Sequence, residues 1–288
     1  DIPVYFAEIG LSTAQIGLLM SFVPVALIAC QMFWGARGDR AKNRSALIRN
    51  MLLFSALVML GFSLTTRYAH LMVLLWTFAA FFIPAQPLAD SVILESLWEK
   101  RKPFGILRLS ASFAFALGSL AAGRVLEGRV ELLPYITSGL LACAGLATFA
   151  LPSLPGHGRK ENKVSFSAIF RLPHMPGLFA LVLLIQVTLG YFYSFFPVYF
   201  TALPGSGTSL LGLAYLISAA SETPFLLFAD RLYNRIGVGR LLCVAAAALT
   251  VRWTVLALTA NPVVVLLSQI LHGWGFIIVT VGMEKYLN

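Results

Sequence analysis

The sequence predicts an all-α, multi-pass membrane protein of two six-helix bundles, and three observations carry that prediction. Long apolar runs recur along the whole chain. The gaps between them alternate between basic and nearly uncharged, and the second half repeats the first. Hydrophobic residues fill 59% of the 288 positions and charged residues only 11%, far from the balance of a soluble domain. Crossing a bilayer core takes roughly 20 mostly apolar residues. Such runs are helices, because backbone in hydrocarbon must satisfy its own hydrogen bonds.

Residues 1–10 (DIPVYFAEIG) read as the outer end of a first helix, truncated before its start. Complete crossings follow at 13–36, 46–66, 70–97, 104–126 and 132–152. Residues 153–173 (SLPGHGRKENKVSFSAIFRLP) are polar, basic and rich in Pro and Gly, the pattern of a linker. Crossings resume at 177–200, 208–229, 238–259 and 262–283. The expected organisation is an N-terminal bundle over 1–152, a cytoplasmic linker over 153–173 and a C-terminal bundle over 174–288. Cys30, Cys143 and Cys243 lie singly in separate runs. Their spacing fits neither a disulfide framework nor a metal site, and they read as small packing residues. Four His at 70, 157, 174 and 272 are likewise too scattered for a metal or a catalytic constellation, so a membrane-embedded enzyme is not expected.

The gaps at 37–49, 98–108, 153–173, 231–240 and 284–288 hold 17 of the 21 Lys and Arg. The alternate gaps hold three, and Arg252 lies inside a run. Cytoplasmic loops keep Lys and Arg, so the basic gaps and the central linker are expected on the cytoplasmic side of the cell membrane. The net charge of +9 then reflects topology rather than affinity for nucleic acid. Lipid bilayer and a small solute are the expected partners, with no obligate protein partner evident.

Thr13-x-x-x-Gly17-Leu18 opens one run, which ends in Asp39-Arg40-x-x-x-Arg44. Thr208-x-x-x-Gly212-Leu213 opens another, which ends in Asp230-Arg231-x-x-x-Arg235. Both run outside to inside, so the repeat is parallel, about an axis along the membrane normal. Subtracting the offset of 191 carries Asn288 to position 97, the end of an earlier run. On that reading about ten of twelve helices are present.

Gly35-Ala-Arg-Gly-Asp39-Arg40-Ala-Lys-Asn-Arg44 resembles the loop signature of the major facilitator superfamily, and Asp230, Arg231 and Arg235 form its degenerate echo. Arg37 departs from it, standing where the family usually has an apolar residue. The expected role is a charge latch, with Asp39 near the start of the next helix, where an anion is favoured.

An ionisable group at membrane depth costs about 2.5–3.5 kcal/mol on insertion scales and needs a partner or a wet cavity. Asp90, Arg108, Glu222, Arg252 and His272 qualify. Asp90 shares a helical face with Gln86, and Arg108 continues through Ser112, Phe115 and Ser119. Gln269, His272, Phe276 and Thr280 fall along one side of a helix. Glu95 and Arg124 read as interfacial. Tyr191 to Phe200 (YFYSFFPVYF) packs seven aromatics into ten residues, an aromatic belt or the lining of a pathway.

The chain is similar to the lactose permease and phenylpropionate permease type of proton symporter over essentially all its length. Asp90 and Arg108 match the carboxylate and arginine that hold solute in that type, and Phe115 falls where it stacks an aromatic on the solute. Val251-Arg252 and His272 match the arginine of its ninth helix and the histidine of its tenth, and Asn234-Arg-Ile-Gly237 matches a loop. Gly275 replaces a carboxylate of its proton step, Gln269 replaces a lysine, and Glu222 aligns about one turn from its glutamate. The resemblance implies a proton-coupled symporter of an aromatic acid, a nucleoside or a sugar, working by alternating access. Asp90, Arg108 and Phe115 would bind solute, and Glu222, Arg252 and His272 would couple it. No cofactor is expected beyond the proton as coupling ion. The rival is a membrane receptor or sensor on the same fold.

Overall fold

The computed structural model describes residues 2–99, 104–156 and 175–275. Their order is α1 (Ile2–Glu8), α2 (Thr13–Asp39), α3 (Arg44–Gly61), α4 (Tyr68–Glu99) and α5 (Phe104–Val125). Then come α6 (Leu133–Ala147), α7 (Met175–Thr201), α8 (Thr208–Ile236), α9 (Val238–Leu258) and α10 (Pro262–Ser268). The all-helical class is as expected. Among the described residues, five helical stretches are long and apolar enough to cross a membrane: Thr13–Asp39, Arg44–Leu64, Tyr68–Ser96, Val130–Ala150 and Gly239–Leu258. Ile28, Leu57 and Val73 on these helices stay more than half exposed. Apolar surface of that extent is stable against lipid rather than water, and the chain is a multi-pass membrane protein.

The helix starts follow capping chemistry. Ser12 and Gln15 form a capping box, each side chain bonding the other's backbone N–H, and α2 begins at Thr13. Asn43 caps α3 by accepting from the Ala46 amide at 3.0 Å. Asn261 caps α10, with Pro262 in the first turn, where its missing N–H would find no intrahelical partner anyway. The two repeat copies do begin at corresponding residues, Thr13 and Thr208. They end differently. Asp39 closes α2, whereas α8 continues six residues beyond Asp230 to Ile236.

By contacts the chain divides into two compact units, Asp1–Arg101 with Glu131–Val198, and Lys102–Val130 with Tyr199–Asn288. In the first, α3 packs against α4 and α6, and α2 against α4. Side chains tie helices together by bonding backbone carbonyls of neighbours: Trp34 Nε1 donates to the Ala80 carbonyl and Ser138 Oγ to the Ala56 carbonyl, both at 2.8 Å. In the second unit α5 lies along α8, the most extensive helix pairing described. This grouping follows packing, and so differs from a division by repeat halves.

Small residues make the α5–α8 approach possible. A Cβ on Gly123 would sit 2.4 Å from the Thr208 carbonyl oxygen, and one on Gly212 would sit 2.5 Å from that of Ser119. Both obstacles are backbone, which cannot swing away. Close approach of this kind is how helices associate where the lipid is as apolar as their side chains. At the same seam Thr208 Oγ1 donates to the Gly123 carbonyl at 2.9 Å. Gly207, the residue before α8, offers no side-chain cap. The Glu127 carboxylate, following α5, accepts from the Ser209 amide instead and lies 3.2 Å from the Thr208 hydroxyl. An anion at a helix N-terminus is favoured by the helix dipole.

One expected helix is broken. The run from 262 was expected to be a single helix through 283, but α10 stops at Ser268, a turn covers 269–270 and helix resumes over 271–275. The Val265 carbonyl explains the break. It is taken by the Ser268 hydroxyl at 2.6 Å and by Gln269 Nε2 at 2.9 Å. The Gln269 amide bonds Leu266 instead, tightening the turn. Side chains that capture a backbone carbonyl in this way compete with the helix ladder. Phe276 and Thr280 lie outside the described residues.

The seam and an open control position give a prediction of sign. Ala is favoured over Gly in a helix by about 1 kcal/mol, so Gly118→Ala, whose Cβ meets nothing within 4 Å, should stabilise. Gly212→Ala should instead destabilise by about 1–3 kcal/mol, the cost of overpacking. Denaturant unfolding in detergent measures both; equal stabilisation of the two would contradict the seam.

Candidate functional site

Three charged residues nominated by the sequence come together in the second unit. Arg252, on α9, is 1% exposed, and His272, after the break, is 3% exposed. Glu222 on α8 is mostly covered. His272 Nε2 lies 3.3 Å from Glu222 Oε1, and its Nδ1 lies 3.1 Å from a terminal nitrogen of Arg252. The other terminal nitrogen of Arg252 donates to Gln269 Oε1 at 2.6 Å. Gln269 Nε2 in turn donates to the Val265 carbonyl and to Ser268 Oγ. The helix break and the arginine site are therefore one construction: the turn that interrupts α10 aims the Gln269 carbonyl at the guanidinium.

The partners assign the imidazole tautomer. A guanidinium only donates, so Nδ1, facing Arg252, must accept and carries no proton. Nε2 then carries the hydrogen and faces Glu222 Oε1 at 3.3 Å. The three side chains run in a row from guanidinium through imidazole to carboxyl.

Backbone packing sets the spacing. The Gly273 amide donates to Ser221 Oγ at 2.9 Å. A Cβ at Gly273 would fall 2.2 Å from the Ser221 carbonyl oxygen and 2.7 Å from the Glu222 nitrogen. Only glycine lets 271–275 come close enough for His272 to reach Glu222. Pro224, inside α8, donates no backbone hydrogen bond to Ala220, one residue before Ser221, and so loosens the ladder beside the carboxylate. Gly275 packs on Leu249 of α9, where the resemblance would have placed a carboxylate.

The solute-binding residues are placed less completely. Asp90 is exposed on α4, one turn from the equally exposed Gln86. The Arg108 side chain lies outside the described residues, and with it the expected pairing to Asp90. Phe115 is 56% exposed on α5 and makes an edge contact with Tyr215 of α8, ring centres 6.4 Å apart. Tyr215 and Glu222 are seven residues apart and so share a face of α8. The sequence reading passed over Tyr215, though that spacing was its signal. The aromatic cluster divides by face: Phe192, Phe196 and Phe200 are buried, while Tyr191, Tyr193 and Tyr199 are exposed.

The loop signature needs a correction. Asp39 is the last residue of α2, not the first turn of α3, and the position next to the α3 dipole belongs to Asn43. A helix C-terminus disfavours an anion, so the dipole argument for Asp39 fails. The charge pair here is made by Arg44, 4% exposed, with Glu95 of α4, which the sequence reading had treated as interfacial. Leu154, Pro152 and Gly156 hold the loop from the other side: the Arg44 amide donates to Leu154, Ser45 Oγ to Pro152, and the Gly156 amide to Ala41. Gly35 is half-buried and Arg40 exposed near the end of α2. Arg231 and Arg235 are exposed near the end of α8, and the Asp230 side chain lies outside the described residues.

Comparison with known proteins agrees with this architecture. The chain is 34% identical over 259 residues to a maltose permease of Geobacillus stearothermophilus, covering 88% of this chain and 64% of that protein. It is 28% identical to the uncharacterized transporter YwbF of Bacillus subtilis strain 168, covering 85% and 62%. The chain thus spans less than two thirds of the length of these two relatives. A probable 3-phenylpropionic acid transporter of Escherichia coli K12 is 26% identical, covering 99% of this chain and 76% of that one. Among solved structures, the D323A mutant of the nucleoside transporter NupG superposes with a TM-score of 0.86 over 99% of this chain and 77% of that one. At 17% identity that likeness concerns the fold. The profile of the MFS_1-like family matches residues 2–286, and the chain belongs to this family of the major facilitator superfamily.

Proposed function

We propose that the full-length protein is a secondary transporter that carries a small organic solute across the cell membrane together with a proton, by alternating access. The buried row from Arg252 through His272 to Glu222 carries this reading. A charge-changing carboxylate held at membrane depth by a neutral imidazole and a fixed cation is expensive to build. Proton loading gives such an arrangement a use. With Glu222 ionised the row is neutral overall; with Glu222 protonated it carries the charge of Arg252. That change alters the cost of burying the site and so biases which side of the membrane the protein opens to. The relatives' names (maltose, 3-phenylpropionic acid and nucleoside) support a sugar, an aromatic acid or a nucleoside as solute.

In this proposal Asp90 and Arg108 hold polar groups of the solute, and Phe115 stacks on its ring beside Tyr215. The basic ends of α2 and α8 face the cytoplasm. There Gly35, Asp39, Arg40, Arg44, Asp230, Arg231 and Arg235 act as the conformational latch, with Arg44 held by Glu95.

Vesicles containing the full-length protein should lose solute accumulation when a protonophore is added, and accumulation that persists would refute coupling to protons. Glu222→Gln keeps a polar group facing His272 but cannot change charge. It should abolish concentrative uptake while leaving solute exchange across the membrane intact; unaltered accumulation would reassign the proton carrier. Asp90→Asn should weaken solute binding by about 10- to 150-fold, since a hydrogen bond to a charged group contributes about 1.5–3 kcal/mol. Calorimetric titration reads that loss, and a variant with full affinity would remove Asp90 from the site.

A further inference from the structure

We infer that the end of α2 carries a binding site for an anionic phospholipid. A cavity of about 590 Å³ lies where α2 hands over to α3, lined by Phe33, Arg37, Arg40, Leu47 and Asn50 among others. Its volume falls in the range of organic ligand sites and exceeds what a lone phosphate ion fills. Arg37 stands in the last turn of α2 and Arg40 directly follows the helix, and both line the cavity. Both are exposed, and among the described residues neither has a carboxylate within ion-pair distance. The neighbouring charges are spent elsewhere. Arg44 pairs with Glu95, and Asp39 is not part of the lining. The start of α3 adds the positive end of a helix dipole, and Asn50 adds a polar side chain.

The cavity is amphipathic in the order a phospholipid requires. The two guanidinium groups sit at the end of a membrane-spanning helix, the level of lipid headgroups. Phe33 forms an apolar wall, and Met32 and Ile28 continue an exposed apolar strip into the membrane-spanning part of α2. A phosphodiester can bond Arg37 and Arg40 while its acyl chains run along that strip. Free phosphate would use the first half and leave the second idle. Arg37 stands where the superfamily signature usually has an apolar residue, so the site belongs to this chain's own sequence.

The test is binding of phosphatidylglycerol to the purified full-length protein in detergent, read by native mass spectrometry and thermal unfolding. Phosphatidylcholine and inorganic phosphate are the comparison ligands. Phosphatidylglycerol should be retained and should raise the unfolding temperature, with phosphatidylcholine and phosphate giving less. The paired substitution Arg37→Gln with Arg40→Gln should weaken retention by about 25-fold, from the typical contribution of a basic residue at a membrane surface. Ala36→Phe, which puts a bulky ring into the cavity and keeps both charges, should weaken it as well. Arg235→Gln with Arg240→Gln removes equal charge outside the cavity and should leave retention near the wild-type level. Equal losses in the two paired variants would mean bulk surface charge alone and overturn the site. So would unchanged retention after Ala36→Phe, or a phosphate response equal to that of the lipid. Should the Arg37 and Arg40 pair fail to fold, Ala36→Phe decides by itself.

Discussion

A guanidinium placed inside hydrocarbon has no water to turn to, and the second unit is organised around meeting that need. Arg252 draws its partners from the broken end of the tenth helix. Gln269 reaches it because the turn after Ser268 swings the side-chain carbonyl inward, and His272 reaches it from the next turn. Glu222 closes the row from α8. Two backbone irregularities, Pro224 within α8 and the interruption at 269–270, occur beside this cluster. Departures from helix are tolerated at membrane depth where protein covers the freed groups.

Close packing makes the electrostatics possible. His272 meets Glu222 only because Gly273 lies against the backbone of Ser221 and Glu222, and α8 is itself positioned by the glycine seam with α5. A methyl group at either place would separate charges by enough to leave one of them unpartnered, and buried unpaired charge costs several kcal/mol. Small residues and charged residues therefore form one system here, the first setting the distances at which the second become stable. Glu127 shows the same economy at the start of α8, where one carboxylate supplies the cap that Gly207 lacks.

Much of the candidate site was legible before any coordinates. Glu222, Arg252 and His272 stand out because each interrupts an apolar run where a charge is costly. Phe115 and Asp90 followed from helical spacing and from a family resemblance. The partners were harder to see. Glu95 looked interfacial because its distance from Arg44 along the chain, 51 residues, carries no local signal. Asp39 was assigned to the wrong helix end, because α2 runs one turn further than its apolar stretch before Asn43 restarts the chain. Tyr215 was hidden among ordinary apolar neighbours, and its role depends on how α5 lies across α8.

The amino-acid sequence by itself determined the helical class, the number and order of the apolar runs, the repeat from Thr13 to Thr208, and which side chains carry charge into the membrane. These properties are local, or periodic at short range, and hydropathy or capping chemistry writes each into neighbouring residues. Which charge meets which and where the tenth helix breaks were decided only by the tertiary structure. Those outcomes depend on distances between helices far apart in the chain. The distances are set by where a glycine leaves room for another backbone, and no window of sequence contains both sides of such a contact.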